Sequence, residues 1–344
     1  MEPGCYTALV TPFDQSTVQE ESLERLADFQ IQNGISGILA VGTTGESPVL
    51  TWKEHLQVIQ RIADQTRDKC LSIAGTGSNN TAEAIEGSRK AAEFGVDAVL
   101  LVDPYYNGPS SLEIRREYYA PIARSVPDTQ IIPYVIPGRT GAQLLPEDLA
   151  LLNREFPNVA SVKEATGNLD NMRRTRTCCG PQFTILSGDD ALTLPMLNDA
   201  GIQAQGVISV VANIVPGPMA RLVRLHREGR TQEAEALNQA LEPLFGLVTV
   251  TTQEETPLGT VACRARNPLA IKTVMALLGL PVGPCRPPLG RMSVKGLEAA
   301  IDMVRTVQTR NPELLAPLAD YFEVDIKERL ENPAYRKELH YDAY

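Results

Sequence analysis

The chain has 344 residues, 43% hydrophobic and 22% charged, with 32 lysines and arginines against 42 aspartates and glutamates and a formal charge of −10. This is the composition of a folded globular protein, and an acidic chain without a long Lys/Arg run lacks the basic stripe that tracks a phosphate backbone, so no nucleic-acid partner is expected. The start, Met1 to Cys5, carries no basic segment ahead of an apolar one, and no apolar run reaches the ~18 residues of a membrane span, so a cytoplasmic protein away from membranes is expected.

Six cysteines are dispersed without a C-x-x-C pair, and three histidines (His55, His226, His340) lie far apart. Neither a disulfide framework nor a zinc site is suggested, and no metal or organic cofactor is expected.

Along the chain, short apolar runs that read as buried parallel strands fall at Thr7–Phe13, Gly37–Gly42, Leu71–Gly77, Ala98–Tyr105, Gln130–Pro137, Val159–Glu164, Phe183–Gly188 and Gly206–Val211. Amphipathic stretches long enough for crossover helices lie between them, among them Glu21–Asn33, Lys53–Thr66, Thr81–Phe94 and Leu112–Ser125. Eight strand–helix units at roughly thirty-residue spacing close most simply into a (β/α)8 TIM barrel. The nearest approach to a dinucleotide fingerprint, Gly75-Thr76-Gly77-Ser78-Asn79-Asn80, lacks its third glycine.

After the last strand the chain reads as helices at Gly217–Arg227, Thr231–Leu247, Asn267–Gly279 and Ser293–Thr309, a C-terminal helical module. The expected division is a barrel over residues 1–225, a helical module over 226–315 and an extension over 316–344. The extension is charged but carries Tyr321, Tyr335, Tyr341 and Tyr344, a load that favours docking over a free tail.

In such a barrel the active site is built at the C-terminal strand ends. The second strand runs into Gly42-Thr43-Thr44-Gly45-Glu46-Ser47, readable as a capped tight turn or as a nest of backbone N–H groups. The fourth ends in Tyr105-Tyr106 and the fifth holds Tyr134 ahead of Pro137-Gly138-Arg139-Thr140-Gly141, which brings phenols and a guanidinium to one rim. The sixth, Val159 to Glu164, buries Lys163 among apolar and small residues. An unpaired ammonium there costs several kcal/mol. Glu164 points to the opposite face and is a poor partner, so Lys163 is either a structural cation or a neutralisable amine kept to attack a carbonyl. Asp189 and Asp190 after the seventh strand read as helix-capping acids, and Gly206 in the eighth as a place where a ligand could approach.

Taken together, Gly42-Thr43-Thr44-Gly45-Glu46, Tyr105-Tyr106-Asn107, Tyr134, Pro137-Gly138-Arg139-Thr140-Gly141, Lys163-Glu164-Ala165-Thr166-Gly167-Asn168 and Gly206-Val207-Ile208-Ser209-Val210 resemble the dihydrodipicolinate synthase / N-acetylneuraminate lyase family over roughly residues 4–315. The resemblance implies a Schiff-base aldolase in which Lys163 attacks the keto carbon of pyruvate while Tyr134, Thr43 and Tyr106 relay protons, Tyr106 from a neighbouring subunit of a homotetramer built as a dimer of dimers. It implies substrate contacts from Thr44, Arg139, Gly188 and Ile208. The Gly-Arg-Thr-Gly run resembles the synthase branch, where the guanidinium holds the carboxylate of L-aspartate 4-semialdehyde.

A regulatory site for L-lysine is implied at Ser47, Trp52, His55, Asn79, Glu83 and Tyr105, against the plainer reading of subunit packing around Trp52 and His55. The fifth strand departs from the family's Tyr-Asn-Val-Pro with Tyr134-Val135-Ile136-Pro137 and adds Pro133, which removes a ladder N–H. Alternatives are a sister pyruvate lyase or hydratase-aldolase acting on another aldehyde or sugar acid, and a non-catalytic keto-acid-binding barrel.

Overall fold

The computed structural model describes residues 1–14 and 17–344. Strands β1 (Gly4–Ala8), β2 (Phe13–Asp14), β3 (Thr17–Val18), β4 (Gly37–Ala40), β5 (Leu71–Gly75), β6 (Ala98–Val102), β7 (Gln130–Val135), β8 (Ser161–Glu164), β9 (Thr184–Ser187) and β10 (Gly206–Ser209) open the chain. Eight of them form a closed parallel barrel in the order β1-β10-β9-β8-β7-β6-β5-β4, the (β/α)8 architecture expected from the apolar runs.

The strands are shorter than those runs, most of them ending one to three residues early where the chain turns into loops at the mouth, while β8 instead starts late, at Ser161. The largest shift is in the first strand, expected over Thr7–Phe13. The barrel strand begins at Gly4, and Phe13 instead pairs with Val18 in the separate β2–β3 ladder. Gly206 is no ligand gap. It pairs with Gly4 at the base of the barrel, where an added Cβ would come within 1.9 Å of the Gly4 carbonyl oxygen.

Two apolar layers follow from strand alternation. Inward residues Tyr6, Leu39, Ile73, Leu100, Ile132, Leu186 and Ile208 fill the barrel. Outward residues such as Ile38, Val99, Ile131 and Ile185 pack under the helices. The helices start where the sequence caps them: Thr51 and Glu54 form a reciprocal capping box for Trp52–Thr66, and Asn80 caps Thr81–Glu93. The expected fourth helix is continuous from Ser111 to Ser125 but widens to a π-helical stretch at Ile114–Tyr119. There Tyr118 accepts from the Ser78 N–H and Tyr119 donates to Asp103.

Beyond the barrel, helices Pro216–Arg227, Thr231–Phe245, Leu269–Leu277 and Val294–Arg310 match the helical reading, but between them lies a hairpin, β11 (Thr249–Thr256) and β12 (Gly259–Arg266), where no element was expected. It rests on the last long helix: Ser293, that helix's N-cap, donates to Glu254, and Lys295 donates to the Gln253 carbonyl. The extension is docked. Helix Ala316–Phe322 lies back on the first long helix, Glu20–Gln32, where Tyr321 and Phe322 flank the buried Phe29 at ring distances of 5.3 and 5.2 Å, and helix Ile326–Glu331 packs against Val294–Arg310.

Candidate active site

The C-terminal strand ends surround a cavity of about 230 Å³ lined by Thr43, Ser47, Tyr105, Tyr134, Arg139 and Thr140, among others. Lys163, on β8, is not among the lining residues but lies against one of them, Tyr134. Its Nζ stands 4.2 Å from the centroid of the Tyr134 ring, the ring of its register partner on β7. Burial pulls the Lys163 amine down to about 7; Arg139 pushes in the same direction and the Asp190 charge opposes both. Glu164 does face away, accepting from the Thr166 N–H and from Asn171. Among the described residues no carboxylate is ion-paired with Lys163.

Pro133 helps to set this geometry. It has no N–H to give toward β8, and the β7–β8 register accordingly holds only at Tyr134–Lys163 and Val135–Glu164, whereas β8 and β9 pair at four positions. The short ladder ends at the two residues of interest. Gly188 makes room beside them, since a Cβ there would lie 2.7 Å from the Ala165 side chain and 3.2 Å from Lys163 Cε.

Burial raises the pKa of the Tyr134 phenol, while the nearby Arg139 and the Thr43 side chain favour its ionised form. The Thr43 and Thr44 N–H groups have no protein acceptor among the described residues. The turn that carries them is pinned from behind: Glu46, in the left-handed region at φ 58°, accepts from Lys272 Nζ at 2.6 Å and from the Arg286 N–H at 2.8 Å. Both members of the Lys272–Glu46 pair are buried. Ile208 contributes an apolar wall from within the barrel.

Asp190 corrects the capping expectation. Asp189 does accept from the Ala191 N–H ahead of the helix, but Asp190 turns inward, accepting from Ser209 and from the Val210 and Val211 N–H groups. Burial pushes its carboxyl up to about 6. It ties the end of β10 to the end of β9.

Tyr106 does not join the cavity of its own chain. It is 93% exposed on the loop after β6, at φ 80°. Arg139 does join it, and its Nη2 donates to the Asn267 carbonyl at 2.9 Å. Asn267 in turn donates to the Thr44 hydroxyl at 3.0 Å. Sequence reasoning missed Asn267, Arg266 and Lys272; a lysine inside the apolar helix run Leu269–Leu277 was the one available signal.

The six residues of the expected regulatory site lie beside the same mouth. Ser47 Oγ and His55 Nε2 are 2.8 Å apart, the Trp52 and His55 rings 5.0 Å apart, and Asn79 accepts from the Tyr105 N–H. Glu83, one helical turn into its helix, accepts from Ser78. Burial draws the His55 imidazole down to about 4, so it is neutral at physiological pH.

The model of the dihydrodipicolinate synthetase family matches residues 2–307. A 4-hydroxy-tetrahydrodipicolinate synthase of Pelobacter propionicus is 43% identical over 289 residues, spanning 84% of this chain and 93% of its own. Among solved structures, the 4-hydroxy-tetrahydrodipicolinate synthase of Methylacidiphilum fumariolicum SolV superposes with a TM-score of 0.83 at 37% identity, covering 92% of this chain and 99% of that one. The Cyanidioschyzon merolae enzyme, solved with lysine bound, gives 0.80 at 35% identity, over 89% and 98% of the two chains. With a (β/α)8 barrel and a buried lysine at the mouth, the chain belongs to the dihydrodipicolinate synthetase family.

Proposed function

We propose that this protein is a Schiff-base lyase that condenses pyruvate with L-aspartate 4-semialdehyde to 4-hydroxy-tetrahydrodipicolinate, the reaction named for its relatives, on the route to diaminopimelate and lysine. The observation that carries the reading is the partly neutral, buried Lys163 amine against the ring of Tyr134, which lines the same cavity as Arg139.

Lys163 Nζ adds to the keto carbon of pyruvate, whose carboxylate rests on the Thr43 and Thr44 N–H groups. Loss of water gives the imine, with Tyr134 passing the protons through Thr43. The imine draws electrons from the adjacent methyl group, a proton leaves it, and the resulting enamine carbon attacks the aldehyde carbon of the semialdehyde; the semialdehyde's own amine then attacks the re-formed imine carbon, closing the ring and displacing the Lys163 amine. Arg139 holds that substrate's carboxylate, and Gly188 and Ile208 shape the floor. Tyr106, turned outward, serves the neighbouring subunit's site, which makes the working unit at least a dimer and, by resemblance to the family, a tetramer. Catalysis needs no cofactor in this scheme. No helix among the described residues is long and apolar enough to cross a membrane, which fits work in the cytoplasm.

L-Lysine is the proposed inhibitor, with its ammonium at Glu83 and its remaining polar groups among Ser47, Trp52, His55, Asn79 and Tyr105. The lysine-bound Cyanidioschyzon merolae relative supports this.

The test is product formation from pyruvate with L-aspartate 4-semialdehyde, run beside N-acetylmannosamine and a small sugar aldehyde, with Lys163→Ala as blank. Turnover of the semialdehyde alone is expected. Consumption of another aldehyde instead would move the protein to a sister lyase, and no turnover with keto-acid binding retained would leave a binding barrel.

A further inference from the structure

Arg139 is not the only guanidinium at the mouth. Arg266, the last residue of β12, points its Nη1 and Nη2 at the Gly138 carbonyl, at 3.5 and 3.4 Å. Arg139, next to Gly138, donates to the carbonyl of Asn267, next to Arg266. The two arginines thus brace each other's backbone across 128 residues of sequence, and the hairpin that delivers Arg266 is itself held by Ser293 and Lys295.

Neither guanidinium is ion-paired among the described residues, in a chain whose formal charge is −10. Some exposed arginines elsewhere in the molecule find carboxylates, Arg173 with Asp170 and Asp199 among them, and others such as Arg264 do not among the described residues, so it is the convergence of these two on one rim that sets them apart. Each of the two mouth arginines engages a single protein carbonyl and has further N–H donors to offer. Two like charges brought close repel, and an anion between them would relieve that repulsion. The mutual effect is visible in the charges: Arg266 lowers the Arg139 pKa after burial has done so, and both arginines stabilise the ionised form of the Tyr134 phenol.

We propose that Arg266 is a second substrate-binding guanidinium that, with Arg139, forms a two-armed cradle for the carboxylate of the acceptor aldehyde. The inference rests on the condensation reading above, and it assigns a role to the hairpin: carrying a cation to the rim. Asn267 links the two anion sites, since its carbonyl holds Arg139 and its side chain holds Thr44. The acceptor carboxylate and the pyruvate carboxylate are therefore positioned from one point of the chain.

The experiment measures steady-state kinetics of the full-length enzyme with L-aspartate 4-semialdehyde for Arg266→Gln, Arg266→Lys and Arg264→Gln, the last an exposed arginine two residues back on the same strand. Borohydride trapping with pyruvate alone establishes that each variant folds and forms its imine. Expected is a rise of about tenfold in the semialdehyde KM for Arg266→Gln, as for the loss of one charge-assisted contact, with kcat within twofold and a smaller rise for Arg266→Lys. Arg264→Gln is expected to match the parent.

An unchanged semialdehyde KM in Arg266→Gln overturns the proposal, and so does an equal rise in Arg264→Gln, which would mean diffuse attraction. If Arg266→Gln fails to trap pyruvate, Arg266→Lys decides alone, because it keeps the charge but loses the fork. A parent enzyme that traps pyruvate yet never consumes the semialdehyde defeats the condensation reading itself, and the cradle with it.

Discussion

Lys163 Nζ and the Tyr134 ring face each other at 4.2 Å because the two residues are paired in register across neighbouring parallel strands. Backbone pairing therefore sets the two side chains beside each other. The amine titrates at about 7. Below that pH it is an ammonium without a lone pair, and above it the nucleophile is free, so the initial rate of borohydride trapping with pyruvate is expected to rise through about pH 7 and then level. Lys163→Arg should show no trapping, and mass spectrometry of the reduced adduct would locate it on the Lys163 peptide.

Tyr134→Phe keeps the ring under the amine but removes the proton carrier. Turnover is expected to fall by ~100-fold or more, the usual scale of general acid–base assistance, with the pyruvate KM changed by little. A fall confined to KM would show that the hydroxyl only binds.

Gly188→Ala places a methyl group against Ala165 and the Lys163 stem. Overpacking of about 1–3 kcal/mol is expected, together with slower imine formation, because the lysine is the movable neighbour. Denaturant unfolding and trapping rates, measured on the same preparation, separate the two effects.

Lys272→Met removes one member of the buried pair with Glu46 and leaves the carboxylate without that ammonium, on the Arg286 N–H. Stability should drop by ~3–5 kcal/mol, and the pyruvate KM should rise as the Thr43–Thr44 turn loosens. Equilibrium unfolding beside initial-rate kinetics checks both.

Glu83→Gln is expected to weaken L-lysine inhibition at least tenfold while the uninhibited rate stays near that of the parent. Titration of L-lysine to millimolar levels reads this directly, and a flat response in the parent protein would remove the regulatory site altogether.

The barrel was legible because buried parallel strands are continuous apolar runs, and Lys163 was legible because it interrupts one. The β11–β12 hairpin was not. Its strand Thr249–Thr256 is largely polar, and Val250 and Glu254 are its buried residues, so no apolar alternation announces it. Arg266 went unseen for the same reason: a charge at the end of an unrecognised ribbon reads as surface. Asp190 looked like a helix cap because adjacent acids before a helix usually are one, and only the three-dimensional closeness of the ends of β9 and β10 turns it inward. Tyr106 was readable as reactive, but its outward direction depends on a left-handed backbone that its residue type does not advertise.

Phe29 is wholly buried, yet part of its cover is Tyr321 and Phe322, and Tyr321 also donates to the Arg25 carbonyl on the same helix. During synthesis those rings leave the ribosome after every strand of the barrel has emerged. The first long helix must then wait, with one aromatic ring partly uncovered, while the chain that will cover it is still being made. Any interruption of translation between the eighth strand and Tyr321 would leave an adhesive spot on that helix, which makes the segment around Tyr321 a seal on the start of the barrel.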